Sequence, residues 1–351
     1  MGEEYVTVVA GGRRWTAFRR VMVDAAINEA ARSFRIEIAA EDSPGDAVAA
    51  FFAGKPVEIY FGGDLVLSGY VDRYQPRIGE HSTAEIAVSG RSKGQDLIDS
   101  AAEHETGRFR NKTPLEIGQE LDRSGVGFTT DQQLDKVEKY QLTPGETVFR
   151  CIEKLCRAQG VTLSGQPDGS IKITKASNKR HAGALVEGRN MKIGEADHNW
   201  SGRHSKVIVR GQRPFGHGPD ALEIEAVARD ASVKRNRPVI VIQDDDTDKK
   251  RAGKRARARR DREAGNSLRA NATTQGFRDE GGQIWTPGLL VWTESPFLVL
   301  AQDMVIEKVT YSQERGKGSE SVLTLTDPRA HGGQSKGGKS GEGWATGAGD
   351  E

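Results

Sequence analysis

The 351-residue sequence predicts a mainly β protein in which two β regions flank a central module containing helices. Three observations carry this expectation. Apolar and polar residues alternate at period two from Tyr5 to Arg91 and again from Met191 to Asp327. Helical spacing is confined to the stretch between them and to one basic segment. The closing hairpin of the first β region also parallels that of the second. At roughly 100–200 residues per domain, the length suits two or three domains.

In the first region, YVTVVAGG, FRIEIAA, KPVEIYFGG, LVLSGYVDRYQP and STAEIAVSGR each set apolar residues on one strand face and stop at Gly, Pro or Ser. FGGDLVLSG reads as a tight hairpin, with Gly62-Gly63 supplying positive φ. VMVDAAINEAARS reads as a strand followed by a loop or short helix. Such strands and turns fit a small antiparallel barrel or sandwich.

Near Gln95 the period changes. KGQDLIDSAAEH has helical spacing, and NKTPLEIGQELDRSG opens with Thr113 as N-cap, Pro114 first in the helix and Glu116 third, with Gly125 as the stop. ETVFRCIEKLCRAQG carries Val148, Ile152, Leu155 and Cys156 on one side and ends at Gly160. VTLSGQPDGSIKITKA is a hairpin turning at Asp168-Gly169. These helix faces read as core stripes of a compact α+β module.

From Met191 strands return in MKIGEADHNW, SKVIVRGQRPF, ALEIEAVA, RPVIVIQ, SLRANATTQGF, GLLVWTE, FLVLAQDMVIEKVTYSQ and SVLTLTD. DDDTDKKRAGKRARARRDREAG interrupts them, with four Asp and then nine Lys or Arg within 249–262, on Ala spacing that favours helix. Beyond Arg329, HGGQSKGGKSGEGWATGAGDE has eight Gly in 21 residues and one aromatic, Trp344, so it is expected to be a flexible tail. LVLSGYVDRYQPRIGEHSTAEIAVSGRS and DMVIEKVTYSQERGKGSESVLTLTDPRA share the order strand, polar Gly-containing turn, strand, stop. That similarity suggests two related barrels per chain.

Composition excludes several classes. The formal net charge is +1, so long-range attraction to nucleic acid or anionic membrane is not built into the whole chain and any basic function is local. The hydrophobic share is 36% and the mean hydropathy −0.60, and no apolar run of about 18 residues offers a membrane span. The start MGEEYVTVVAGG is acidic and lacks a long apolar core, which argues against a signal peptide, and Val6 stands where myristoylation wants Ser or Thr. Cys151 and Cys156 point about 140° apart on one helix, which disfavours a disulfide and reads as two small buried apolar residues.

No chemistry rises above this background. The seven His form no HExxH, and the step from His198 to His204 fits no helical metal spacing, so no metal site is expected. Glu103 and Glu105 flank His104 but cannot converge on one substrate from adjacent helical positions. There is no G-x-S-x-G elbow, and GGRRW, FGGDL and GHGPD lack the settings of phosphate-binding loops. No catalytic residue and no cofactor is expected. The basic segment is the strongest remaining feature: Arg251, Arg255, Arg259 and Arg262 share one helical face and form a candidate protein-contact surface. Without interleaved aromatics or a binding motif, nucleic acid is disfavoured as its partner.

Several blocks carry a family resemblance: GYVDRY before VSGRSKGQDLIDSAA, then LTPGETVFRCIEKLCRAQGVTLSGQPDGSIKIT, then GFRDEGGQIWTPGLLVWTESP with MVIEKVTYSQ and LTLTDP. In this order, over roughly residues 5–330, the chain resembles the baseplate hub proteins of Mu-like contractile-tailed bacteriophages, a group related to the late control protein D family. The resemblance implies two tube-like antiparallel β-barrel domains, at 1–95 and 191–330. Between them lies an α+β module at 96–190, a basic helical insertion falls at about 247–265, and the tail occupies 331–351. It further implies a homotrimeric ring that adapts a hexameric tail tube to a trimeric membrane-piercing spike. Its partners would be the tail tube protein, the spike and other baseplate proteins, in a virion assembled in the host cytoplasm, with no chemical turnover. A tail-associated cell-wall hydrolase or glycan-binding protein is the alternative.

Overall fold

A computed structural model describes residues 4–39, 44–79, 82–211, 224–243 and 249–333. Of the stretch 331–351 read as a tail, His331, Gly332 and Gly333 are described and seated, with the Ala176 N–H donating to the His331 carbonyl at 3.1 Å, while residues 334–351, with Trp344, lie outside the described residues, as do Asp244, Asp245, Asp246 and Asp248. The first region runs β1 (Val6–Ala10), β2 (Arg13–Trp15), β3 (Arg20–Ala26), β4 (Ser33–Ala39), α1 (Pro44–Phe51), β5 (Pro56–Phe61), β6 (Asp64–Gly79) and β7 (Ser82–Ser92). The middle holds α2 (Gln95–Asp99), β8 (Arg108–Lys112), α3 (Pro114–Leu121), β9 (Phe128–Thr130), β10 (Val137–Gln141), α4 (Val148–Ala158), β11 (Thr162–Gly165) and β12 (Ile171–Thr174). The remainder is β13 (Arg180–Val186), β14 (Ile193–His198), β15 (Lys206–Gly211), β16 (Ile224–Arg229), β17 (Pro238–Gln243) and α5 (Lys249–Gly265). It closes with β18 (Leu268–Gln275), β19 (Leu290–Ser295), β20 (Leu300–Glu314), β21 (Gly318–Thr326) and a 3-10 turn at Pro328–His331.

The mainly β reading holds, and the helix signals act as their chemistry requires. Thr113 and Glu116 form a reciprocal capping box, with Glu116 N to Thr113 Oγ1 at 3.3 Å and Thr113 N to Glu116 Oε2 at 2.7 Å. α3 stops earlier than Gly125 because Asp122 turns extended and its carboxylate accepts the N–H groups of Ser124, Val126 and Gly127. The helix read in KGQDLIDSAAEH shrinks to α2: Ser100 is extended, and Ala101 instead bridges to Thr147, the N-cap of α4. Of Gly62 and Gly63, only Gly62 has positive φ, at 58°.

Thirteen strands form one sheet, along the path β14-β18-β21-β20-β3-β4-β7-β6-β5-β1-β2 with β19 and β13 branching from β20. A repeat is written into it. Taking β1, β3, β4, β5, β6, β7 as strands one to six of a first unit and β13, β14, β18, β19, β20, β21 as those of a second, both units have the spatial order two-three-six-five-four-one. Even the irregularities correspond. β6 carries a bulge between Val71 and Arg73 against β7, and β20 carries one between Ile306 and Lys308 against β21. The units differ at the outermost pair, β1·β5 being antiparallel and β13·β19 parallel.

β20 joins the units by pairing antiparallel with β3, from Lys308↔Ala26 to Glu314↔Arg20. Inward residues of both units, including Val8, Val23, Ile36, Ile59, Val309 and Leu323, share one hydrophobic core. A single sheet can bury one face against itself in this way only by curving around its own core. Phe61, Phe277 and Tyr311 lock the join: Phe61 and Phe277 stack at 4.1 Å, and Tyr311 meets Phe61 edge-on at 5.1 Å.

Two assignments made from sequence change. β13 lies inside the stretch read as the central module, but it pairs with β19 and so belongs to the second β unit. The strands β15, β16 and β17, read as barrel strands, leave the main sheet and form their own, with α5 packed on it. The interruption between β14 and β18 is therefore a three-stranded layer plus a helix, larger than a helix alone.

Candidate protein-contact surface

The side chains of α5 split into an alanine stripe and a cationic ridge. Ala252 and Ala256 are fully buried against Val207, Val209, Ile224 and Ala228 of the small sheet, their size letting the helix backbone approach the strands. Ala258 is exposed, and Ala264 and Gly265 continue the stripe. At Gly265 a Cβ would lie 2.2 Å from the backbone nitrogen of Ala330, so the last turn of α5 presses directly on the 3-10 turn.

Arg251, Arg255, Arg259 and Arg262 are all exposed and, at about 100° per residue, fall within about 80° of arc. Arg259 pairs with Glu263 at 3.0 Å, and Glu263 also meets His204 Nδ1 at 3.0 Å. Arg260 is held by Asp261. Within α5 nine cations face two acids, Asp261 and Glu263. The result is a cationic ridge on a firmly seated helix, suited to an acidic surface.

The residues of the spaced motifs lie elsewhere and build joints. Arg91 bonds Asp72 at 2.9 Å and Asp99 at 2.7 Å, clamping the β6–β7 hairpin to α2. A Cβ on Gly90 would sit 2.0 Å from the Tyr70 carbonyl oxygen, so only glycine fits there. Ser92 accepts the N–H of Arg32. The fully buried Arg32 guanidinium donates to the carbonyls of Val66 at 2.7 Å and Gly165 at 3.0 Å, tying the first unit to the middle module. Burial lowers its pKa, opposed by more distant negative charge.

The block GFRDEGGQIWTPG folds around Asp279, a residue that sequence reasoning did not single out. Its carboxylate accepts the N–H groups of Ala182, Gly281 and Gln283 at 2.8–3.0 Å and meets His181 Nδ1 at 2.8 Å. Burial works to raise its pKa, but the bonds from His181, Gln283 and Ala182 outweigh it and hold the carboxyl below its ordinary value. The amide of Thr286 donates to His181 Nε2 at 3.1 Å, so the ring is the neutral tautomer with its proton on Nδ1. With Nε2 already taken by a backbone N–H, this His–Asp pair has no free lone pair to act as a base. It anchors a loop.

His104, weighed from sequence beside Glu103 and Glu105, sits in a loop, its Nδ1 accepting Gly107 N at 3.0 Å and its Nε2 meeting Glu120. Glu103 and Glu105 are exposed beside it. Cys151 and Cys156 are free and buried in the core of α4, and burial pushes both thiols up to about 12. Among the described residues, no group of three or more His, Cys, Asp or Glu is placed to hold a metal ion, and no helix is long and apolar enough to cross a membrane.

Comparison with known proteins matches this architecture in chain order. Residues 5–92 match the family model for the N-terminal domain of Mu phage baseplate assembly protein GpP-like proteins. Residues 94–175 match the second domain of baseplate hub protein gp44-like proteins, and residues 248–332 the fourth domain of Mu phage baseplate assembly protein GpP. The baseplate hub protein gp44 of Escherichia phage Mu is 28% identical over 334 residues, covering 91% of this chain and 87% of that protein. The crystal structure of a 43 kDa tail protein of prophage MuSo2 from Shewanella oneidensis aligns at TM-score 0.82 and 26% identity, over 93% of this chain and 99% of that one. A tail protein from Neisseria meningitidis MC58 shares the fold at TM-score 0.78 and 20% identity, over 94% of this chain and 99% of that one. With the first, second and fourth domains of this kind of hub matched in chain order, the chain belongs to the baseplate hub proteins of Mu-like phages and has a structural role in the tail baseplate.

Proposed function

We propose that this hub protein forms a homotrimeric ring that adapts a sixfold tail tube to a threefold membrane-piercing spike. The observation that carries the proposal is the repeat: each chain holds two β units of identical strand order, so three chains present six similar units to a hexameric tube and three equivalent faces to a spike. The work is mechanical. Backbone-paired strands and a continuous core transmit load, and the buried His181–Asp279 pair is engaged in holding a loop. In this reading the arginine ridge of α5 faces another baseplate protein carrying acidic residues. Light scattering over a dilution series tests the stoichiometry, with a mass near three chains expected. A monomer persisting at micromolar concentration contradicts the proposal. Zymography on purified cell walls tests the absence of turnover: clearing that follows the intact protein would favour a hydrolase.

A further inference from the structure

The repeat leaves two corresponding strand edges, on β6 and β14, without a partner strand among the described residues, and it specifies what should cover them. Within the chain, strand five of the second unit (β20) pairs along its outer half with strand two of the first (β3). The corresponding elements are strand five of the first unit, β6, and strand two of the second, β14. Beyond Val71, β6 pairs with β7 alone, and β14 pairs with β18 alone. We propose that these two edges meet between copies: the outer half of β6 in one protomer pairs antiparallel with β14 of a second copy of this chain. The contact repeats the β20·β3 seam head to tail. This inference rests on the ring reading above and names the interface that would close it.

The corresponding register follows from the matched bulges and hairpins. Tyr74 occupies the place of Val309 and His198 that of Ala25, which sets Gln75 opposite Asp197, Arg77 opposite Glu195 and Gly79 opposite Ile193. Charge fits this register. In the internal seam Lys308 Nζ lies 3.1 Å from Asp24 Oδ1. Arg73 occupies the place of Lys308, and Asp197 that of Asp24. Arg73, Arg77 and Asp197 are exposed and make no ion pair with another described residue, and Arg77 and Glu195 are opposite in sign.

Apolar surface fits as well. Ile78 on β6 is 87% exposed and Ile193 on β14 is 68% exposed; in the proposed register Ile78 lies opposite Gly194 and Ile193 opposite Gly79, so each edge carries one exposed apolar side chain, the two on opposite faces of the seam. The flanking loops agree. Inside the chain, the connection between strands three and four of the second unit, with Phe277 and Arg278, covers the β5–β6 turn through Phe61, Glu4 and Asp64. Its counterpart in the first unit contains α1, with exposed Val48 and Phe52. The counterpart of the turn is the β19–β20 hairpin tip, with exposed Phe297 and Val299. The repeat thus brings two exposed apolar sets against each other. Pro76 takes the place of Tyr311, whose amide edge faces β3, so the ladder between chains has one donor fewer than the internal one. On an edge left open during assembly, that proline also discourages wrong pairing.

Paired cysteines test the contact. Gln75→Cys and Asp197→Cys are placed together in one chain at the position equivalent to Thr310↔Asp24, a non-hydrogen-bonded pair with Cα atoms about 4.5 Å apart, within disulfide reach. The native cysteines are buried and contribute no background. On mild oxidation the double variant is expected to run as covalent dimer and trimer on denaturing gels, reverting with reductant, while either single variant does not form the trimer band. As a second measurement, Arg77→Glu and Glu195→Arg should each shift dissociation to at least several-fold higher protein concentration, and the two together should restore it. A native mass of three chains with neither cross-link nor charge effect overturns this interface and leaves the ring standing. A cross-link that stops at dimer overturns the head-to-tail arrangement. A monomeric mass at every concentration overturns the ring itself, and this contact with it.

Discussion

Removing the Asp279 carboxylate separates an anchoring role from a chemical one. Four donors converge on it: the N–H groups of Ala182, Gly281 and Gln283 and the Nδ1–H of His181, with the side chain 1% exposed. Asp279→Ala orphans all four in a site with little access for water. At about 1–3 kcal/mol for each buried group left without a partner, the gross cost is about 4–12 kcal/mol. Local relaxation and a water entering the vacated space recover part of it, so the expected loss is about 4 kcal/mol. Asp279→Asn keeps one carbonyl oxygen but turns an NH2 group toward two existing donors, and is expected to cost about 3 kcal/mol. Urea denaturation followed by tryptophan fluorescence is the assay, because the Trp285 ring lies 4.9 Å from that of His181 and reports on this loop directly. A loss below about 1 kcal/mol for Asp279→Ala would refute the reasoning. Unchanged stability combined with loss of an enzymatic activity would show that the pair is chemical after all.

Four further outcomes follow from particular contacts. Gly90→Ala places a Cβ 2.0 Å from the Tyr70 carbonyl oxygen and should cost more than about 2 kcal/mol, whereas Gly63→Ala meets nothing within 4 Å and should lie within about 0.5 kcal/mol of wild type in the same urea titration. Thr113→Ala removes the capping box of α3 and should cost about 1 kcal/mol by the same measurement. Replacing Arg255, Arg259 and Arg262 together with Glu should leave the melting temperature within a few degrees and weaken particle assembly, most at low salt; a large fall in melting temperature would place the ridge inside the fold. Burial lowers the pKa of His331 from its ordinary 6.5, with Glu307 opposing and Arg269 and Arg262 reinforcing the shift. The folded state therefore binds fewer protons than the unfolded chain, so this contribution is complete above 6.5 and is lost as the pH falls below it. A His331→Asn variant should show a flatter decline in stability between pH 7 and pH 5, and an unchanged slope would remove His331 from the account.

Much of the fold is legible in sequence because its strands are half-buried and alternate strictly. β1 reads VTVVA with Val6, Val8 and Ala10 buried, and such patterns survive without tertiary knowledge. The capping box at Thr113 is legible for the same local reason. What escaped was set by distant partners. β13 has a weak pattern, RHAGALV, and is a strand because β19 lies beside it. KVIVRG and PVIVIQ look like any barrel strand; pairing with each other and with β16, under an alanine-faced helix, sends them to a separate layer. The kinship of the two hairpins was visible in GYVDRY and VIEKVT, yet its full extent, six strands with matched bulges, shows only in the pairing. The arginine face was legible from spacing alone. The Asp279 anchor was not, since two of its four donors, His181 and Ala182, lie almost a hundred residues before it in the chain.

Single-particle images of the purified protein in solution test the central claim most directly. The account predicts end-on views of a closed ring of three chains whose rim shows six similar lobes, alternating between the within-chain and between-chain seams. Particles the size of one chain, or rings with a number of lobes other than six, would contradict it.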